Sequence, residues 1–567
     1  MNAPLPVPPP VPPIWTTGTT EAIHTGTWRA STPRHLAAPS PCRKACPVGG
    51  EIARWIGQAR SGDLQGAWQT LMRHNPFPAI AGRVCHHPCE TACNRAEYDE
   101  ALSICRLERF IGDAALDAGW MPQAAATTAP GRVAIVGGGP AGLSAAYQLR
   151  RLGYAVTLFE ASDALGGVMR HGIPAYRLSR RVLDGEIARI VALGVDVRLG
   201  HAVQGQEALA AIAQAHDAVF VALGAQQPKQ LPALPADAGW ALDGARYLAA
   251  CSRGEPPALG ARVVVIGGGS AAIDVARSAR RHGHAVTLLA LEDEARMPAQ
   301  REEVVEALEE GITLVDGAML RKVRVHEDAQ ASSRLELDCV RVRMQPGAER
   351  GRFTLDEVAD SGFALAADAV ISAIGQDPRL DDLGGDLRRE GALLWTAAAG
   401  ATSDGKIWAG GDLTSMARFV TEAVGMGKRA ALAIDRSLRE RGLGSPAPAP
   451  ALDDHGPEPV VPLSAISLHY YPKRARAESP RREADARVAD EDEVQLGLAA
   501  AQALAETERC FSCGTCINCD HCVIYCPDLA IERVGLGYTV NTDYCKGCGV
   551  CVRECPTGSM AMSEDSK

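Results

Sequence analysis

Between Cys510 and Cys526 six cysteines follow one another as Cys-x2-Cys-x2-Cys-x2-Cys-x2-Cys-x3-Cys, closed by Pro527. A second run holds Cys545, Cys548, Cys551 and Cys555, closed by Pro556. A cubane iron–sulfur cluster needs four thiolates converging on one small object. A loop with cysteines three apart supplies three of them. In the bacterial Cys-x2-Cys-x2-Cys-x3-Cys-Pro run the fourth cysteine serves the other cluster of the pair. Cys516, Cys519, Cys522 and Cys526 fit that run, and so do Cys545, Cys548, Cys551 and Cys555. Zinc knuckles also use Cys-x2-Cys pairs, but two complete copies, each ending in Cys-Pro, favour two 4Fe–4S clusters. Cys510 and Cys513 are surplus to such a domain.

Eighteen cysteines in 567 residues, behind a start that lacks a basic and apolar signal, point to metal ligation rather than disulfides. The expected compartment is the reducing cytoplasm. The opening MNAPLPVPPPVPPIW reads as a Pro-rich disordered tail over residues 1–30. A net charge of -10 argues against nucleic acid or an anionic membrane as partner, and no apolar run is long enough to span a bilayer. Cys251 and Cys339, between the two cysteine-rich ends, read as ordinary semi-buried thiols. Residues 131–440 alternate strand-like and helical patterns, which indicates α/β architecture. The stretch 444–462 is a Pro- and Asp-rich linker. The charge run 472–493 reads as a solvated surface, with docking as the less favoured alternative.

Residues 132–160 read as strand, glycine turn, helix, strand and acidic end. Gly137 makes the turn, Gly139 lets backbone approach a pyrophosphate, Pro140 and Ala141 open the helix, and Gly142 allows close packing. Glu160 stands where a ribose hydroxyl would be met. Residues 262–298 repeat the pattern with Gly267 and Gly269, with Ser270 and Ala271 opening the helix and Ala272 in the third place. Here Glu292 follows the strand and would repel a 2′-phosphate, so NAD(H) is favoured over NADP(H). Arg296 and Arg301 are the residues that could reverse this. The chain then returns through Gly375 to KIWAGGDLT, where Gly411 and Asp412 precede a helix carrying Thr421. A flavin domain interrupted by a nicotinamide domain accounts for this order.

The segments GGGPAG, ALGGVMRHGIPAYRL, AIGQDP and AGGDLT resemble the glutamate synthase small-subunit family. That family includes the NADPH-binding half of dihydropyrimidine dehydrogenase and related NAD(P)H:ferredoxin oxidoreductases. The resemblance covers about residues 40–440. It implies FAD near Gly137, Gly139, Gly142, Glu160, Arg177, Gly411 and Asp412, and nicotinamide nucleotide on the second domain. Gly167, Gly224 and Thr421 are further candidate cofactor contacts. NADPH-type members carry paired basic residues where this chain has Leu291 and Glu292.

The family also implies an N-terminal helical domain with two 4Fe–4S clusters, begun by an Arg-Cys-x2-Cys-Gly element. Here that place holds STPRHLAAPSP, and Cys42, Cys46, Cys85, Cys89 and Cys93 are too few for two clusters. The missing spelling occurs at 509–514. Cys510 and Cys513 are therefore expected to reach back, within the chain or from a dimer mate, to complete a cluster with Cys42 and Cys93. The other cluster would use Cys46, Cys85 and Cys89 with Glu108, which holds the family's fourth-ligand register. Cys105 lies on the same helical face and is the softer alternative.

The expected fold is multidomain: a tail (1–30), an α-helical Fe–S domain (31–128), and an α/β FAD domain (129–258 and 376–442) interrupted by a NAD(P) domain (259–375). A linker and docking segment (443–508) and an α+β bacterial ferredoxin-like domain (509–567) follow. The expected activity is that of an FAD-dependent NAD(P)H:ferredoxin or acceptor oxidoreductase with four 4Fe–4S clusters. It would be one subunit of a hetero-oligomer such as a 2-oxoacid oxidoreductase complex, with the organic substrate on the partner. A glutamate synthase small subunit and a non-catalytic electron conduit are the alternatives. No catalytic side chain is assigned, because the cofactors carry the chemistry.

Overall fold

The computed structural model describes residues 24–36, 38–235, 238–326, 334–347, 353–384, 386–446 and 459–564. In the N-terminal domain, helices begin where a capping side chain precedes an apolar stretch. Ser40 Oγ accepts from Arg43 N (3.3 Å) at the start of Pro41–Ala45, and Asp63 Oδ1 accepts from Gly66 N (2.8 Å) at the start of Leu64–Met72. Trp55, Ile56, Trp68 and Leu71 turn inward from Ile52–Arg60 and Leu64–Met72. They join a core that continues into the flavin domain through Leu143, Tyr147 and Ile187. Burying each such large side chain is worth about 1.5–3 kcal/mol, so the two domains are fused rather than hinged.

Each dinucleotide unit builds its own five-stranded parallel sheet. The first runs Ile407–Ala409, Ala218–Val221, Arg132–Val136, Ala155–Phe159 and Asp196–Arg198. Its central strands, Ala218–Val221 and Arg132–Val136, are nearly continuous apolar runs, as burial on both faces requires, while the edge strand Asp196–Arg198 is polar and largely exposed. The second runs Thr313–Val315, Ala285–Leu289, Arg262–Ile266, Ala369–Ser372 and Ala241–Asp243. A three-stranded antiparallel sheet, Ala318–Val325, Leu335–Pro346 and Phe353–Ala367, lies beside it, with Cys339 buried in it. The chain leaves and re-enters the flavin domain through Gln227–Pro228 and Gln376–Asp377, which pair antiparallel. Ala241–Asp243 and the helix Gly244–Ser252, assigned above to the flavin domain, belong instead to the nicotinamide domain. That strand completes the second sheet, and Tyr247 and Leu248 enter its core.

The C-terminal domain holds the hairpin Ile531–Val534 and Gly537–Val540, two short helices, His521–Ile524 and Val550–Arg553, and a last strand, Met560–Glu564. That strand pairs antiparallel with Ser31–His35. Most of the expected tail, residues 1–23, lies outside the described residues. Its final residues form a 3₁₀ turn, Thr25–Trp28, whose Gly26 N donates to Asp543 O (2.8 Å).

The charge run 472–493 leaves most of its residues exposed, as a solvated surface would, yet several of its charges dock on other domains. Arg476 pairs with buried Glu90, and Glu493 accepts from Arg83 Nε (2.6 Å) and Arg109 Nη2 (2.9 Å) on the helical domain. Arg487 pairs with Glu309 of the nicotinamide domain (2.6 Å). The run straps the two domains together because complementary charges wait for it on each.

Candidate redox centres

Strand Arg132–Val136 ends at Gly137, whose φ of +108° belongs to the region that favours glycine. A Cβ on Gly142 would collide with the Gly137 carbonyl oxygen, so helix Pro140–Arg151 can close on the turn only with glycine there. Glu160 is aimed back at the loop. Its Oε2 accepts from Gly138 N (2.7 Å), while Oε1 accepts from Ser162 N and Oγ (2.8 and 2.7 Å). Gly167 backs onto Gly139, and Gly224 follows the Ala218–Val221 strand at φ +73°. From the returning segment, Gly411 packs on Ala141, and burial pushes the Asp412 carboxyl up to about 6 against the opposing Arg418. Helix Val420–Glu440 crosses the fingerprint helix, where Ser144 Oγ donates to Val424 O (2.8 Å). An open Gly139, free backbone N–H groups at a helix start and an inward carboxylate suit a dinucleotide pyrophosphate and hydroxyl-rich chain. The residues fit FAD.

In the second fingerprint Gly267 has φ +142° and Gly269 faces open space, with Ser270 and Ala271 in the first turn of helix Ser270–Arg281. Glu292 folds over this loop, since a Cβ on Gly268 would meet its Oε2. Burial raises the Glu292 carboxyl above its ordinary value. The carboxylate therefore covers the second loop as Glu160 covers the first. Arg296 Nε donates to Asp293 (2.6 Å) and Arg301 pairs with Glu294 (2.6 Å), both at the surface. Gly375 lies at the domain crossover with φ +103°. Arg177 is held by Asp274 Oδ2 (2.6 Å) and Glu303 of the nicotinamide domain, so it clamps the two domains rather than facing the flavin cradle.

The cysteines fall into four groups. Cys516, Cys519, Cys522 and Cys555 line one cavity beneath Tyr538. Burial, then Cys519, Cys555 and Cys516, push the Cys522 thiol up to about 11. Cys526 stands with Cys545, Cys548 and Cys551; burial and then Cys526 raise Cys551 to about 12. The structure thus sets Cys555 with the first run and Cys526 with the second, the crossed arrangement that the spacing implies. In the helical domain Cys85, raised to about 12 chiefly by burial, neighbours Cys46 and Glu108, and Cys89 neighbours Cys46 and Cys85. Glu108 is half-buried, desolvation pushes its carboxyl up to about 7, and it accepts from Asn75 Nδ2 (2.9 Å). Cys105, raised by burial and then by Cys85, is also close to this group, and its Sγ donates to Ala81 O (3.6 Å). Cys42, Cys93, Cys510 and Cys513, the fourth group, line a cavity of their own. Sets of soft thiolates around small apolar cavities are the donor chemistry of iron–sulfur clusters.

Thr421, already a candidate cofactor contact from the sequence, holds its Oγ1 3.4 Å from Cys85 Sγ, joining the flavin cradle to the cysteines. Sequence reasoning missed other residues that hold these centres. Tyr471 OH donates to Phe511 O (3.1 Å) and Pro556 O (3.0 Å), joining two cysteine groups. Glu506, Arg509 and Asp99 form a buried ion network. The spelling Glu-x2-Arg in front of Cys510 was the available signal for that network. For Tyr471 there was none.

Residues 131–427 match the pyridine nucleotide-disulphide oxidoreductase family. Residues 30–120 match the 4Fe–4S cluster domain II of dihydropyrimidine dehydrogenase, and 515–559 the 4Fe–4S dicluster domain. The NADP(+)-dependent formate dehydrogenase subunit beta of Moorella thermoacetica is 35% identical over 84% of this chain and 70% of its own length. The NAD-dependent dihydropyrimidine dehydrogenase subunit PreT of Salmonella typhimurium is 32% identical over 71% of this chain and 92% of its own. The glutamate synthase [NADPH] small chain of Escherichia coli is 31% identical over 72% and 91%. Among the described residues no helix is long and apolar enough to cross a membrane. With a flavin cradle, a nicotinamide fold and 4Fe–4S domains at both ends, the chain belongs to the glutamate synthase small-subunit-like family of FAD-dependent, electron-transferring oxidoreductases.

Proposed function

We propose that this chain is the nicotinamide-facing subunit of a larger oxidoreductase, working in a reducing cytoplasm and exchanging electrons between NAD(H) and a partner through FAD and four 4Fe–4S clusters. The observation that carries this is the contiguity of the sites. Thr421 bridges the flavin cradle to Cys85, Cys89 neighbours Cys42, and Tyr471 bridges Phe511 to Pro556 beside Cys555. When bound, FAD and the clusters supply the division of a two-electron hydride into single-electron steps. The protein's part is to orient and to exclude water. The glycine turns present backbone N–H groups, Glu160 and Asp412 offer carboxylates to hydroxyls, and a shared core keeps the spacing fixed.

For the inner group, Cys46, Cys85, Cys89 and Glu108 are the proposed ligands. Asn75 orients the Glu108 carboxylate, and the Cys105 thiol is engaged elsewhere. NAD(H) is the proposed nucleotide, because Glu292 covers the phosphate loop and Arg296 and Arg301 are each matched by an adjacent acid. Two relatives are named for NADP(H) and one for NAD, so the local residues decide. The proposed outlet is the ferredoxin domain, where Cys548 is exposed and Leu529, Val534 and Leu536 are also open to solvent. A ferredoxin or a 2-oxoacid oxidoreductase is the kind of partner it would meet. Anaerobic titration of the purified protein tests the reading. NADH should bleach the flavin and develop cluster signals in electron paramagnetic resonance at lower concentration than NADPH. Preference for NADPH would overturn the nucleotide assignment, and a reduced flavin with silent clusters would overturn the relay.

A further inference from the structure

Four cysteines from opposite ends of the chain face one cavity. Cys42 follows the Ser40 cap, Cys93 precedes Asn94, and Cys510 and Cys513 arrive on the segment after helix Ala500–Thr507. The remaining lining is mainly apolar, with Ile52, Ile56, Leu102 and Phe511. We propose that Cys42, Cys93, Cys510 and Cys513 are the ligands of one 4Fe–4S cluster assembled from both ends of the same chain. The assignment rests on the relay reading above only for the chemical nature of the occupant.

Three observations carry it. The sulfurs already meet polar groups suited to a charged cluster: Asn94 Nδ2 donates to Cys513 Sγ (3.4 Å), Ser512 N donates to Cys510 Sγ (3.4 Å), and Ser40 Oγ lies 3.1 Å from Cys42 Sγ. Such hydrogen bonds to sulfur tune a cluster's potential. The ligand segment is anchored on both sides. Arg509 is buried against Glu506 (2.6 Å), Asp99 (3.2 Å) and Glu100 O (2.6 Å), and Gly514 N donates to Thr557 O (2.8 Å). Burying charges is costly unless their geometry is satisfied, and this network fixes Cys510 and Cys513 toward the helical domain. Finally, the ferredoxin groups are complete without them, because Cys516, Cys519, Cys522 and Cys555 line a separate cavity. The fold closes the surplus of one end on the deficit of the other.

The test uses full-length protein purified anaerobically with its cofactors. Iron, acid-labile sulfide, zinc and FAD are measured for the parent and for C510S/C513S, C42S/C93S and the quadruple variant. Each double variant should lose one cluster's iron and sulfide, and the quadruple should lose no more than either. Additive losses, an unchanged iron count in C510S/C513S, or zinc in place of the iron would overturn the shared site. FAD content and NADH bleaching of the flavin should persist, and their loss in the parent would count against the relay itself. Should C510S/C513S fail to fold, Asn94→Leu keeps every cysteine. It should lower the midpoint potential of one cluster signal only, and unshifted signals would overturn the assignment.

Discussion

At the residue scale, the proposed preference for NAD(H) turns on one carboxylate. Glu292 lies two residues beyond the place that the first fingerprint's interval indicates, yet the chain after Leu289 folds it over Gly268. Replacing it with arginine removes a repulsion and adds a charge-assisted donor, worth about 1.5–3 kcal/mol. Glu292→Arg should therefore raise kcat/KM for NADPH relative to NADH by about ten- to a hundredfold, read by steady-state reduction of an artificial acceptor. A second residue-scale expectation separates Glu108 from Cys105. Glu108→Ala should labilise one cluster, seen as lost iron on desalting, while Cys105→Ser should retain all of it. Equal iron loss in both would reassign the ligand. The glycine turns, Glu160 and the cysteine runs were legible because each is written within some thirty residues at fixed spacing. Arg177 was not, because a clamp between domains leaves no local period.

Among the elements, helix Pro78–Val84 starts against a buried carboxylate of the flavin domain. Glu186 accepts from Ala79 N (3.0 Å) and Ile80 N (2.9 Å), and burial pushes its carboxyl from 4.5 up to about 8. Folding thus favours the protonated form. Its contribution is complete below pH 4.5, where the unfolded carboxyl is also protonated, and is lost as pH rises toward about 8. Thermal unfolding followed by circular dichroism should show Tm falling across that window. Glu186→Gln, though less stable by about 1 kcal/mol for one lost acceptor, should show a flatter profile. Helix Ala500–Thr507 is held similarly: Glu506 accepts from Ser103 N (2.8 Å), Ala477 N (2.9 Å) and Arg509. Glu506→Ala strands those donors and should cost roughly 3–5 kcal/mol in denaturant unfolding. The amphipathic pattern announces such helices. Their docking partners lie hundreds of residues away and are visible only in the fold.

At the scale of the molecule, the helical domain and flavin domain share one core that also takes in Leu498 and Ala503, while the nicotinamide domain has its own. Flavin release and bleaching of the helical domain's cluster absorbance should therefore coincide in denaturant, and separate midpoints would show that those two domains unfold independently. The domain order was readable from two fingerprints and a return segment. The true edge of the nicotinamide domain was not, because Ala241–Asp243 joins its sheet from sequence that precedes the second fingerprint.

The pairing of Ser31–His35 with Met560–Glu564 also has a bearing on biosynthesis. A ribosome adding ~5–20 residues per second needs on the order of a minute to travel from the first strand to the last. Until then the leading strand has no neighbour, and the early thiols wait in a nascent chain beside whatever chaperone or scaffold attends them. Closure of the N-terminal strand thus waits on synthesis of Met560–Glu564, more than five hundred residues later.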